Sequence, residues 1–157
     1  MSDRWTLAGK KALITGGTKG IGLAIAEEFL SLGAEIVIVA RNSDDIQQLL
    51  TKWQEQGWQA HGIATDVMTP NGRQAIFNKV SVALGGLNIL VNNVGTNIRK
   101  KTLEYAVQEY EFLLQANLTS VFEMCRLFHP FLKNTENSSI INIASVAGLV
   151  AIRTGAP

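Results

Sequence analysis

The run Lys10-Lys11-Ala12-Leu13-Ile14-Thr15-Gly16-Gly17-Thr18-Lys19-Gly20-Ile21-Gly22 is the most informative in the chain. An apolar stretch, Ala12-Leu13-Ile14, stops at Thr15. A turn holding Gly16, Gly17, Gly20 and Gly22 follows, and an amphipathic helix begins there. The physical reading is strand, tight turn, helix. Such a turn lets the backbone come close to a diphosphate. The helix N-terminus then offers free N–H groups and a positive dipole end to that anion. The spacing Gly16-x-x-x-Gly20-x-Gly22 departs from the dinucleotide fingerprint Gly-x-Gly-x-x-Gly. An ordinary left-handed turn also uses glycine, so the flanking sequence has to carry the argument.

After the turn, Ile21, Ala24, Ile25, Phe29 and Leu32 recur at a helical period, and Gly33 closes that helix. Residues 35–40 form a near-continuous β-branched run, as expected of a strand buried on both faces. A second helix starts at Ser43 as N-cap, carries Ile46, Leu49, Leu50 and Trp53, and ends at Gly57. A strand fits 59–64. Thr69-Pro70 reads as N-cap and first helical residue, with Ile76, Phe77, Val80 and Leu84 on one face. A fourth strand, 87–91, follows the turn at Gly85-Gly86. The polar segment 96–102, with Arg99, Lys100 and Lys101, reads as an exposed loop. A helical region over about 103–133 is expected to bury Val107, Tyr110, Leu113, Leu114, Leu118, Val121, Phe122, Cys125 and Phe128. Pro130 should kink or end its last turn. A fifth strand, 139–144, ends at Ser145.

The 157 residues suffice for one domain, 1–157, with a sizeable core. A formal net charge of +1 implies no bulk attraction to nucleic acid or a membrane surface. No apolar run approaches the ~20 residues that span a bilayer. Residues 1–5 lead into no apolar segment, so the cytoplasm is the expected compartment. The single cysteine, Cys125, has no internal disulfide partner and reads as a small buried hydrophobe. His61 and His129 are far apart, with no metal-ligand or triad pattern, and no Gly-x-Ser-x-Gly elbow occurs.

Alternating strands and helices predict an α/β doubly wound parallel sheet. Its ligand crevice should lie outside the carboxyl ends of the strands. Thr15-Gly16, Arg41, Asp66-Val67, Asn92-Asn93-Val94-Gly95 and Ser145 stand at those ends.

Taken together, these strand ends resemble the short-chain dehydrogenase/reductase family. Thr-Gly-Gly-Thr-Lys-Gly-Ile-Gly, Leu-Asn-Ile-Leu-Val-Asn-Asn and His-Pro-Phe-Leu-Lys are similar to its tropinone-reductase-like members. The resemblance implies a Rossmann-like fold and hydride transfer between a nicotinamide and a small-molecule ketone or secondary alcohol. It implies that Thr15, Gly16, Thr18, Lys19, Gly20, Ile21 and Gly22 form the cofactor turn. Asp66 and Val67 would hold the adenine, the Asp66 carboxylate accepting from the exocyclic amine. Asn93, Val94 and Gly95 would line the nicotinamide side, with Val94 standing where Ala is usual. Asn117 would organise a relay water; its plain alternative, an Asn bonded to a backbone carbonyl, also predicts a local kink. Ser145 would bond the substrate carbonyl oxygen. NAD-preferring members carry an acidic residue at the end of the second strand, where this chain has Arg41. Arg41 and Lys19 would pair with a 2′-phosphate, so NADP(H) is the expected cofactor.

The family's Tyr-x-x-x-Lys, which supplies the proton, does not occur in this sequence. Residues 154–157 resemble the run just before that Tyr. The expectation is therefore a sheet truncated after about five strands, catalytically incomplete, with 139–144 as an exposed edge. Homo-oligomerisation is expected. The substrate pocket would be lined in part by residues 94–97, Val146, Ala147 and Ile152. The alternative is a nucleotide-binding or self-associating fragment without catalysis.

Overall fold

A computed structural model describes residues 5–150; Ile152 and residues 154–157, on which two of the expectations rest, lie outside them. In chain order the elements are β1 (Lys11–Thr15), α1 (Gly20–Ser31), β2 (Glu35–Ala40), α2 (Ser43–Glu55), β3 (Ala60–Ala64), α3 (Pro70–Ala83), β4 (Ile89–Asn92), α4 (Val107–Leu114), α5 (Ser120–Lys133) and β5 (Ser139–Asn142). A π-helical turn, Gln115–Thr119, joins α4 to α5. The strands form one parallel sheet in the order β3-β2-β1-β4-β5. The chain adds strands on one side of β1, then returns to its other side with β4. That switch in strand order lies beside the glycine turn, as the doubly wound expectation requires.

Strand side chains alternate between two cores, because successive Cβ atoms point to opposite faces. Leu13, Val37, Val39 and Leu90 face α3 and α5, meeting Ile76, Val80, Met124, Phe128 and Leu132. Ala12, Ile14, Ile36, Ile38 and Val91 face α1 and α2, meeting Ala26, Leu30, Ile46 and Trp53. Each fully buried large apolar side chain contributes about 1.5–3 kcal/mol. β5 is the edge next to β4, and all four of its residues are exposed, Ile140 and Ile141 included.

Several boundaries differ from the sequence expectation. α2 is capped by Asn42, not Ser43: its Oδ1 accepts from the Asp44 and Asp45 amides at 2.9 and 3.4 Å. Asn and Ser are equally good caps, so sequence does not choose between neighbours. The buried line of α1 is Gly22, Ala26 and Leu30, while Ile21 is exposed. The close seat of Gly22 on the preceding turn rotates the helix by about one residue.

The 103–133 region departs most. It opens with a 3₁₀ turn, Thr102–Glu104, before α4. Its buried line is Leu113, Ala116, Ser120, Met124, Phe128 and Leu132. Val107, Tyr110, Leu118 and Phe122, expected inside, are exposed, Leu118 by 62% and Phe122 by 60%. A π turn bonds i to i+5 and slips the phase of one helix against the next, so one continuous 3.6 period selects the wrong stripe. Small Ala116 and Ser120 let the backbone come close, and Ser120 Oγ is satisfied by Ala116 O at 2.6 Å. Pro130 lies within α5 without ending it before Lys133.

α1 and α2 are tied by Glu27, whose Oε1 accepts from Lys52 Nζ at 2.7 Å and Trp53 Nε1 at 3.4 Å. The Lys52 hydrogen bond is the main reason the Glu27 carboxyl sits below its ordinary carboxylate range. A carboxylate depressed in the folded state stabilises fully above its unfolded pKa and loses that contribution as pH falls through the folded value. Urea titrations from pH about 5 to about 3 should therefore show wild type losing more stability than Glu27→Gln. The difference should stay below ~1 kcal/mol, because the pair is partly solvated.

Candidate functional site

The end of β1 is locked to the end of β4. Thr15 Oγ1 donates to Val91 O at 3.3 Å and accepts from the Asn93 and Val94 amides at 2.9 and 3.2 Å. Asn93 Nδ2 donates back to Thr15 O at 3.0 Å and Gly16 O at 3.2 Å. The Gly16 amide bonds Val39 O at 2.8 Å, which ties the turn to β2 as well. Gly16 has φ +67, a left-handed conformation natural to glycine. A Cβ on Gly22 would overlap the Gly16 carbonyl oxygen, so only glycine allows α1 to start so close to the turn. Lys19 is the N-cap of α1 and makes no side-chain cap bond, so the first amides of the helix have no side-chain partner there.

Outside the carboxyl ends of the strands lies a cleft of about 530 Å³. Of the residues expected there, Gly16, Thr18, Lys19, Arg41, Asp66, Val67, Asn93, Val94 and Gly95 line it. Thr15, Gly20, Ile21 and Gly22 do not: Thr15 and Gly22 shape the turn from behind. Asp66 Oδ1 accepts from the Met68 amide at 2.9 Å, an Asx turn that leaves Oδ2 without a protein hydrogen bond among the described residues. Asn117 sits in the π turn, exposed, and holds Thr96 by both atoms, Nδ2 to Thr96 O and Thr96 N to Oδ1, each at 2.9 Å. It supports a cleft-lining residue and does not line the cleft. Ser145 follows β5, outside the lining. Its Oγ accepts from the Ala147 amide at 3.2 Å and caps the 3₁₀ turn Val146–Gly148. Val146, expected in a substrate pocket, is exposed and does not line the cleft; Ala147 does not line it either.

Sequence reasoning did not reach Asn42, Asp45, Thr65, Met68, Phe112 and Ala116, which also line the cleft. Asn42 and Asp45 follow Arg41 in the β2–α2 connection, and that proximity was a usable signal. Phe112 reaches the cleft from α4 and Ala116 from the π turn. Among the described residues no group of three or more His, Cys, Asp or Glu could hold a metal. No described helix is long and apolar enough to cross a membrane.

A parallel 3-2-1-4-5 sheet with a glycine turn at its switch point, and a cleft at the strand ends, defines the Rossmann-like α/β class. Residues 10–157 match the family model described as short chain dehydrogenase, and the chain belongs to that family. A tropinone reductase homologue from Arabidopsis thaliana is 43% identical over 153 residues, 97% of this chain and 58% of its own length. A second, described as chloroplastic, is 43% identical over 152 residues, 96% of this chain and 47% of its length. A tropinone reductase homologue from Datura stramonium is 39% identical over 150 residues, 95% and 56%. The chain thus spans about half the length of the curated relatives it matches. L-sorbose reductase from Gluconobacter frateurii, solved with NADPH and L-sorbose, superposes with a TM-score of 0.91 at 34% identity, covering 95% of this chain and 57% of that one. Within that family the chain is tropinone-reductase-like by these likenesses.

Proposed function

We propose that this chain carries the NADP(H) site of a reductase that moves a hydride between the nicotinamide and a ketone or secondary alcohol. One observation carries the reading: a single cleft gathers the glycine turn, Lys19, Arg41, Asp66, Val67, Val94 and Gly95. The residues fit such a cofactor. The close seat of Gly22 against Gly16 sets the start of α1 beside the turn, and the uncapped amides there suit a diphosphate. Asp66 Oδ2 suits the adenine amine. Arg41 and Lys19 suit the 2′-phosphate. Bound there, the nicotinamide would supply or take the hydride. Val94 and Gly95 would limit water beside it, Asn117 would hold the loop at Thr96, and Ser145 would orient the substrate oxygen. Proton transfer is assigned to no residue here, since no Tyr-x-x-x-Lys occurs. The relative solved with NADPH supports the cofactor choice. A cytoplasmic setting and self-association, which the exposed β5 would favour, belong to the same proposal.

NAD(H) is a second reading, and Asp45 is the observation that favours it. This carboxylate lines the cleft near Arg41 and could accept from a free ribose 2′-OH. A fluorescence titration with NADPH and NADH separates the two. NADPH should bind at least about tenfold more tightly, the scale of one charge-assisted contact. Tighter NADH binding would favour the Asp45 reading, and binding of neither would overturn the cofactor site.

A further inference from the structure

The loop that follows β3 is held by two side chains from other elements. Gln115 Nε2, in the π turn, donates to Met68 O at 2.7 Å. Arg73 of α3 donates Nη1 to the same carbonyl at 2.8 Å and to Val67 O at 2.9 Å. A carbonyl oxygen has two lone pairs, and both donors on Met68 O reach it from outside the loop. Arg73 is only 7% exposed and makes no ion pair within 4 Å among the described residues. Burying a cation is costly unless its N–H groups are satisfied, and here Nη1 makes both of its bonds to this loop. Asp66, Val67 and Met68 all line the cleft. Connecting loops are otherwise the soft part of a fold.

The π turn reaches the other wall as well, through Asn117 and Thr96. Residues two apart on a helix do not face the same way. Gln115 and Asn117 can therefore address the two loops from one turn, Gln115 the loop after β3 and Asn117 the loop after β4.

We infer that Gln115, with Arg73, is a positioning residue for the nucleotide: it holds the Asp66–Met68 wall where the adenosine half is received. The role rests on the dinucleotide reading above. Gln115 is the better probe, because it is half-buried and its loss opens no charged cavity.

The test uses the full chain, with Gln115→Leu, which keeps bulk and loses the donor, and Gln115→Lys, which restores one. The readouts are amide hydrogen exchange over residues 65–69, affinity for 2′,5′-ADP, and the thermal midpoint. Gln115→Leu should speed exchange there and weaken 2′,5′-ADP about fivefold, the scale of one neutral hydrogen bond. Gln115→Lys should slow the exchange again. Unchanged exchange in Gln115→Leu overturns the clamp. Faster exchange with wild-type affinity, or a lowered midpoint with wild-type affinity, overturns the positioning role and leaves a structural one. If Gln115→Leu does not fold, Gln115→Lys decides: exchange near wild type supports the clamp, and exchange as fast as in an unprotected loop overturns it. Wild type that binds neither 2′,5′-ADP nor NADH removes the dinucleotide reading and the positioning role together, a failure seen before any variant is made; where wild type binds NADH alone, the affinity of the variants is read with NADH.

Discussion

Gly22→Ala is expected to lose nucleotide binding and about 3 kcal/mol of stability. The added methyl overlaps the Gly16 carbonyl oxygen and crowds Asn93 Nδ2. Two relaxations are open, and both are costly. α1 can move away from the turn, which unseats Ala26 and Leu30 from the core they share with Ile14 and Ile38. Alternatively, the Gly16 carbonyl can turn away and Asn93 withdraw with it, leaving the carbonyls of Thr15 and Gly16 without their donor. Overpacking costs about 1–3 kcal/mol, and a buried group left unpaired costs a similar amount. Either path moves the amides at the start of α1 relative to the cleft, so nucleotide affinity should fall even where the variant folds. Urea midpoints and an NADPH titration check the two effects separately. Wild-type stability in this variant would mean that α1 does not start as close to the turn as described.

The second large effect concerns charge. Arg41→Asp should weaken NADPH about a hundredfold and leave NADH unchanged or tighter. Arg41 stands at the end of β2, exposed and lining the cleft, and makes no ion pair within 4 Å among the described residues. A bidentate guanidinium–phosphate contact contributes about 1.5–3 kcal/mol, which is about ten- to a hundredfold in affinity. Reversal adds repulsion from the new carboxylate beside Asp45. NADH has no 2′-phosphate, and its ribose hydroxyl can donate to the new Asp. Paired titrations of both nucleotides read the effect. An equal loss for both would remove Arg41 from the cofactor argument and leave Asp45 as the residue to test.

Much of this was legible in residue order. The strands lie within two residues of their expected ends because their signal is local: short runs between turn residues, β-branched and buried on both faces in β2. The glycine turn was legible for the same reason, since strand, turn and helix are contiguous. So were the strand-end residues that meet in the cleft, because a doubly wound sheet delivers every strand's carboxyl end to one side. The helical region after residue 103 departs from its periodicity. Leu118 and Phe122 read as buried because periodicity assumes one unbroken α-helix, while Val107 and Tyr110 share α4 with buried Leu113 and are nonetheless exposed. The π turn at Gln115–Thr119 breaks that assumption, and nothing in Gln115-Ala116-Asn117-Leu118-Thr119 announces it beyond a poor helix former at Asn117.

Local pattern and chain order were enough to set the fold class, the family likeness and which turn starts the site. These depend on contacts between near neighbours and on the handedness common to all parallel crossovers. What lines the cleft, and what holds its lining, was decided by tertiary structure. Thr15 and Gly22 turned out to shape the turn from behind, Asn117 to hold Thr96, and Ser145 to cap a turn beyond the lining. The Met68 carbonyl is held by Gln115, 47 residues later, together with Arg73. The physical reason is the same in each case: a side chain's partner is set by which elements pack together and at what helical phase, and neither is written in the spacing of the residues themselves.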